Sequence, residues 1–251
     1  MSIERIVFAG GPSTRPELVL AARAVAEALA ARGAAAVVTD DGWPDALDPA
    51  AAVISLCERE AVATPPTWHL AITGSELEMR RGAEPCGRAP LAIAVPVERP
   101  FRRVLVAGTG TPGRLLRMIG RTAAALRARR AGVTIAFWGE IPEELHRDHL
   151  LGEVHPDPDA DELARLLATA GCILDPADEP EERNVIASLG PAAGIPTVVF
   201  GRGGPGMLAV GEWSGEALAE GVLEALGRPR GKARGGEEAA ELVAKAVGLA
   251  A

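Results

Sequence analysis

Residues 103–116 read Arg-Val-Leu-Val-Ala-Gly-Thr-Gly-Thr-Pro-Gly-Arg-Leu-Leu. A short apolar run ends in a glycine-rich turn, and apolar residues at helical spacing follow directly. Glycines in such a turn let the backbone approach a ligand closely, and the amides and dipole of the next helix favour phosphate. The stretch therefore predicts a strand, a turn and a helix of the nucleotide-binding type.

The same alternation continues to about residue 228. The pattern predicts strands over 133–137, 172–174 and 197–200, helices over 111–130, 160–170 and 215–226, and a broken helix over 184–193. Such an order indicates a mostly parallel sheet that binds ligands at the carboxyl ends of its strands.

The first hundred residues repeat this theme in a shorter form. A strand over 5–9, a Gly10-Gly11 turn and a helix over 16–32 precede strands over 36–39, 52–55 and 70–73. Two prolines within 95–101 forbid regular helix and indicate a linker. We expect an α/β protein with two Rossmann-like domains and mostly parallel sheets. The domains are 1–98 and 99–230, followed by a helical segment, 231–251, that can pack back on the first domain.

Composition narrows the class of protein. A net charge of −8 and a pI near 5.2 argue against a nucleic-acid surface, which needs clustered cations. We find no basic leader and no apolar run of the roughly 20 residues that cross a bilayer. The cysteines are few, odd in number and widely spaced, which suits reduced thiols better than a disulfide framework; they are Cys57, Cys86 and Cys172. We therefore expect a cytoplasmic protein that is not integral to a membrane.

Further segments form an ordered series along the chain. Residues 71–76 read Ala-Ile-Thr-Gly-Ser-Glu, residues 93–100 read Ile-Ala-Val-Pro-Val-Glu-Arg-Pro, and residues 193–199 read Ala-Gly-Ile-Pro-Thr-Val-Val. Between the last two, residues 161–176 combine a leucine-rich helix pattern with an apolar strand and Asp-Pro. The series resembles glycosyltransferase family 4, whose retaining enzymes have two domains in the GT-B arrangement. The resemblance spans most of the chain and implies that arrangement here.

The resemblance assigns the nucleotide-sugar side of the site to the second domain. The family's phosphate-binding lysine corresponds to Arg114, and its two glutamates, separated by seven residues, correspond to Glu181 and Leu189. Leucine cannot accept hydrogen bonds from ribose hydroxyls, so only the first carboxylate of the pair is present. Asn184 is expected to cap a helix whose amides meet the donor phosphates. The expected donor-binding residues are Gly108, Gly110, Arg114, Gly139, Glu181, Asn184, Gly203 and Gly204, with Gly10 and Gly11 on the acceptor side.

The resemblance implies a compact retaining glycosyltransferase with Glu181 and Arg114 as catalytic residues. Its substrates would be a nucleotide-sugar donor and an unknown acceptor, and neither a cofactor nor a metal is expected. The first domain is much shorter than the family's, so a protein partner could complete it.

Two alternatives stay open from the same residues. A degenerate GT-B module could have lost transfer and serve as a binding or regulatory partner. An NAD-binding protein is the other, with Glu140 on the ribose hydroxyls. His146 and His149 have the helical spacing of a metal pair, with His155 and Asp157 nearby, but a polar surface turn explains these residues without a metal.

Overall fold

The structure is a computed structural model that describes residues 5–10, 14–39, 51–56, 68–95, 102–108, 111, 113–141, 152–179 and 182–249. Within these residues it contains two sheets of six strands each and six α-helices. In chain order the elements are β1 (Arg5–Ala9), α1 (Pro16–Ala31), β2 (Ala35–Thr39), β3 (Ala51–Ser55), β4 (Trp68–Thr73), β5 (Glu76–Arg81), β6 (Glu84–Pro90), β7 (Arg103–Ala107), α2 (Gly113–Ala128), β8 (Thr134–Trp138), β9 (Glu153–His155), α3 (Ala160–Thr169), β10 (Cys172–Asp175), α4 (Ile186–Ala192), β11 (Thr197–Phe200), β12 (Met207–Val210), α5 (Gly215–Gly227) and α6 (Glu237–Val247).

The chain divides into two compact units. The first consists of Met1–Ala94 together with Arg234–Ala251, and the second of Val95–Ala233. Helix α6 lies in the first unit, where it contacts α1, β5 and β6. Each unit contains one of the two sheets, and the prediction of two Rossmann-like α/β domains with mostly parallel sheets is confirmed.

The sheet of the first unit has the order β2-β1-β3-β4-β5-β6. Its first four strands are parallel, and β5 and β6 continue it as an antiparallel meander. Ile6, Phe8 and Ile54 are fully buried, and Val7 and Val53, which alternate with them, are also buried. Because both faces of these strands are buried, their sequences are continuous apolar runs.

Strands β5 and β6 were not predicted from the sequence. In β5 the buried Leu77 and Met79 alternate with Glu76 and Arg80, which is the period of a strand. Strand β6 contains two prolines and a glycine, a composition that argues against a strand interior. Strand β6 nevertheless tolerates these residues because it lies at the edge of the sheet, where one side of the strand pairs with no other strand.

The sheet of the second unit is entirely parallel and has the order β9-β8-β7-β10-β11-β12. Numbered within the unit, this is the order 3-2-1-4-5-6 of dinucleotide-binding folds. The chain moves outward from β7 to β9 on one side and from β10 to β12 on the other. The loops after β7 and β10 therefore diverge, and the crevice between them is the place where such sheets bind ligands.

Helices cover both faces of this second sheet. On one face, residues of α2 and α5 pack around Val104, Phe137 and Leu174 in one apolar cluster. On the other face Leu105 and Ile173 are fully buried, and Gly190 of α4 lies against Ile173. Burial on both faces is the arrangement that a doubly wound parallel sheet requires.

The connection after α5, residues 228–236, is rich in arginine and glycine but is bonded to the second unit. The guanidinium of Arg230 donates to the carbonyls of Ala168 (2.5 Å) and Leu167 (2.9 Å) at the carboxyl end of α3, and burial lowers its pKa. The Gly231 N–H donates to the Gly194 carbonyl at 2.8 Å. A cation at the end of a helix satisfies its last carbonyls, which fixes this segment to the second unit.

Candidate functional site

The glycine turn after β7 begins at Gly108, whose N–H donates to the Trp138 carbonyl at 2.8 Å. Thr111 closes the turn with its N–H on the Gly108 carbonyl at 3.1 Å and its hydroxyl on the Ala107 carbonyl at 2.9 Å. A Cβ on Gly108 would lie 2.6 Å from the Glu140 carbonyl oxygen. Position 108 therefore needs glycine because the chain leaving β8 passes directly beside it.

The backbone conformation also explains why position 139, another predicted site residue, is a glycine. Its φ of 94° lies in the left-handed region, where a side chain is strained. Its N–H donates to the His155 carbonyl at 2.8 Å, so the ends of β8 and β9 are joined. Gly108 and Gly139 thus shape the carboxyl edge of the sheet through backbone packing.

Arg114 lies in the first turn of α2, a turn that contains no acidic residue. Its Nη1 donates to Asp178 Oδ1 at 2.5 Å, and its Nη2 donates to Glu182 Oε2. The hydrogen bonds that Arg114 donates to Asp178 and then to Glu182 raise the pKa of Arg114, and the first of them lowers the pKa of Asp178. The predicted phosphate-binding cation is thus paired with two carboxylates from the loop after β10.

Trp213 lies against the same cluster. The carbon of the Arg114 guanidinium is 5.9 Å from the centroid of the indole ring, within the range of a cation–π contact. The indole N–H donates to the Pro176 carbonyl at 3.0 Å. Trp213 therefore contacts both the cation on α2 and the first residue of the loop after β10.

Asp175, at the carboxyl end of β10, organises that loop. Its side chain is buried, and its two oxygens accept hydrogen bonds from the N–H groups of Ala177 and Asn184, both at 3.0 Å. Burial raises the pKa of Asp175, and these two backbone bonds and Arg183 act against that rise. One carboxylate thus holds both ends of the segment that carries Asp178 and Glu182.

Asn184 was predicted to be the N-cap of α4, but it lies one residue before the formal N-cap. Its side-chain oxygen accepts a hydrogen bond from the Ile186 N–H at 3.2 Å, while the residue at the formal N-cap of α4 is Val185. The neighbouring Arg183 donates to the carbonyls of Phe200 (3.0 Å) and Arg202. The loops after β10 and β11 are therefore linked beside Asn184.

The remaining predicted residues fall into four groups. Gly203 and Gly204 lie in the turn between β11 and β12, where the Gly204 N–H donates to the Met207 sulfur at 3.3 Å. Leu189 is fully buried in α4. Gly10 lies in the first unit, at the end of β1. Gly11, Gly110, Glu181, His146 and His149 lie outside the described residues.

Asp175, Asp178 and Trp213 are residues of this site that were not predicted from the sequence. The signal for Asp175 was present, because an acid that follows a buried strand of a parallel sheet lies at its ligand-binding edge. The pairing of Arg114 with Asp178 and of Trp213 with Pro176 had no such signal. These partners are 64 and 37 residues apart, and no local pattern encodes a contact at that separation.

No protein-family model matches the chain, and no curated protein matches it. Among the described helices, none is both long enough and apolar enough to cross a membrane. In the same described part of the chain, no group of three or more His, Cys, Asp or Glu side chains could hold a metal ion.

Proposed function

We propose that the second unit binds a nucleotide sugar at its carboxyl edge and that the protein is a compact retaining glycosyltransferase. The observation that carries this proposal is the position of Gly108 and Arg114. The glycine turn lies after β7, directly at the crevice where the strand order reverses, and Arg114 follows in the first turn of the helix that the turn opens. This crevice is where open α/β sheets bind nucleotides.

The chemistry of transfer fits the groups at this edge. Departure of a nucleoside diphosphate builds negative charge on its phosphate oxygens. The Arg114 fork and the first amides of α2 are the donors that can neutralise that charge in place. Glu181, the other predicted catalytic residue, would contact the donor sugar, as the resemblance to the family implies. No metal is part of this proposal.

A catalytically degenerate module is the second candidate, and one observation favours it. Leu189 stands where the family has its second glutamate and is fully buried, so no polar side chain reaches ribose from that position. In this alternative the second unit retains a ligand site without performing transfer, and the protein acts through a partner.

A dinucleotide-binding protein is a third candidate, favoured by the strand order itself. The order 3-2-1-4-5-6 is that of NAD-binding folds, and Glu140 follows β8 beside Gly108. An acid after the second strand of the unit is the usual partner of the ribose hydroxyls.

Calorimetric titration separates the three candidates. UDP, GDP, a UDP-sugar, a GDP-sugar and NAD are titrated in turn, and any binding nucleotide sugar is then incubated with the protein while release of the diphosphate is followed. The transferase proposal expects binding of a nucleotide sugar and slow release of its diphosphate. Binding without release supports the module, binding of NAD alone supports the third candidate, and no binding by any nucleotide rejects the proposal.

A further inference from the structure

We propose that Asp178 and Glu182 limit the affinity of this site for phosphate, because they compete with the ligand for the guanidinium of Arg114. The inference rests on the proposed function, in which the diphosphate of the donor binds at Arg114. It goes further by assigning the two acids an antagonistic role. Neutralising either of them should strengthen the binding of an anion.

The geometry of the cluster creates the competition. A phosphate that binds an arginine in the bidentate manner uses two N–H groups of the planar fork. In this structure Nη1 is bonded to Asp178 and Nη2 to Glu182, so both terminal nitrogens already have anionic acceptors. A diphosphate that binds Arg114 must therefore displace the carboxylate oxygens of Asp178 and Glu182 from these two nitrogens.

Charge and burial strengthen the competition. One guanidinium faces two carboxylates, so the three side chains together carry a net negative charge. The side chains of Arg114, Asp178 and Glu182 are 34%, 31% and 29% exposed, respectively, which places the cluster partly out of water. Charges in such a position interact more strongly than fully exposed ones. The net negative charge of the cluster therefore repels an incoming anion, and the Arg114 N–H groups that the anion needs are already bonded.

Arg114 remains near this position when a carboxylate is neutralised. Its guanidinium carbon lies 5.9 Å from the centroid of the Trp213 ring, and this contact does not involve either acid. Trp213 is in turn bonded to the Pro176 carbonyl. The cation is therefore already positioned for a ligand once the carboxylates no longer bind it.

The sign of the effect distinguishes this role from two others. If Asp178 or Glu182 contacted the ligand directly, its neutralisation would remove a hydrogen bond and weaken binding. If the acids served only to hold the loop after β10, neutralisation would loosen the loop and again weaken binding. Only competition for Arg114 predicts tighter binding by a variant that is no more stable than the parent protein.

The test measures binding of inorganic pyrophosphate, UDP and GDP to the full-length protein by calorimetry. The variants are Asp178→Asn, Glu182→Gln and the double variant. Glu220→Gln is the matched control, because Glu220 pairs at 2.9 Å with Arg129, which follows the last residue of the same helix α2 at its opposite end. We expect each single variant to bind pyrophosphate about threefold more tightly and the double variant about tenfold, with a smaller gain at high salt. The control should keep the parent affinity, and the melting temperatures of the single variants should not rise.

Each remaining outcome decides the question. Weaker or unchanged binding by the single variants overturns the inference, and the proposed function survives if the parent protein binds UDP or GDP. An equal gain in the Glu220→Gln control also overturns it, because the cause is then total charge. Tighter pyrophosphate binding without any nucleotide binding supports the inference and rejects the proposed function. Failure of every variant to bind any of the three probes rejects both.

Discussion

In both units the first strand is followed by a glycine and then by a helix, yet the two helix starts differ in charge. The first turn of α1 contains Glu17, whose side chain is 5% exposed and pairs with Arg15 at 2.7 Å. The first turn of α2 contains no acid and carries Arg114. A buried carboxylate at a helix start takes the place of an anionic ligand, whereas a helix start with a cation favours one. The comparison explains why the proposed phosphate site belongs to the second unit.

The largest expected difference between the two openings, the strand–glycine–helix segments with which the units begin, concerns the glycine that follows each first strand. Gly108→Ala should lower the free energy of unfolding by about 2–3 kcal/mol, because the new Cβ would lie 2.6 Å from the Glu140 carbonyl oxygen. Gly10→Ala should cost less than about 1 kcal/mol, because its nearest neighbours would be Thr14 Oγ1 at 3.2 Å and the Thr39 carbonyl oxygen at 3.3 Å. Urea unfolding measures both values. Equal losses would remove this difference between the openings.

The next effect concerns binding at the two helix starts. Arg114→Gln should raise the dissociation constant of a bound nucleotide about tenfold or more, because a charge-assisted pair of hydrogen bonds is lost. Arg15→Gln serves as its counterpart in the first unit and should leave nucleotide affinity unchanged. Calorimetric titration of both variants measures the contrast. A comparable loss in Arg15→Gln would show that the two openings do not differ in this role.

A smaller effect is expected at the acid of the first opening. Glu17→Gln should lower the free energy of unfolding by about 1 kcal/mol, since Arg15 loses its carboxylate partner. Nucleotide affinity should not change, because this carboxylate lies in the first unit. Chemical denaturation and calorimetry on the same preparation test the two halves of the prediction. A changed nucleotide affinity would place the first opening in the binding site.

The smallest effect is a dependence of stability on pH at the second opening. Arg114 holds the pKa of Asp178 below its ordinary value of 3.8, so ionised Asp178 favours the folded state. Its contribution is present above pH 3.8 and is lost as the pH falls through the folded pKa. The melting temperature of the parent protein should therefore exceed that of Asp178→Asn slightly at neutral pH, and the gap should close in acid. A gap that widened on acidification would contradict the pairing with Arg114.

Most of the fold could be predicted from sequence because its signals are local. The parallel strands are apolar runs followed by helical spacing, and α6 lies within the predicted helical segment, 231–251. Strand β12 was missed because it is a four-residue strand directly after a glycine-rich turn. Strand β6 was missed because Pro85, Gly87 and Pro90 argue against a strand, and only its place at the sheet edge permits them.

The candidate site was less accessible for a physical reason. Gly108 and Arg114 could be identified because a glycine turn and a helix start have sequence patterns of their own. The carboxylates that bind Arg114 come from a loop that only the adjacency of β7 and β10 brings near. Strand order is a property of the whole sheet, so neither Asp178 nor the role of Trp213 could be derived from neighbouring residues.

Helix α6 belongs to the first unit although the whole second unit precedes it in the chain. Ala240 and Val243 of this helix are fully buried, and Gly236 at its start lies so close to the Ala24 carbonyl of α1 that a Cβ would clash. Domains usually complete their folding from the N-terminus onward as the ribosome releases them. Here the second unit emerges before the first has received its last helix. The surfaces of α1, β5 and β6 that α6 covers therefore stay exposed during synthesis until α6 has been made, and they are accessible to chaperones and to other nascent chains.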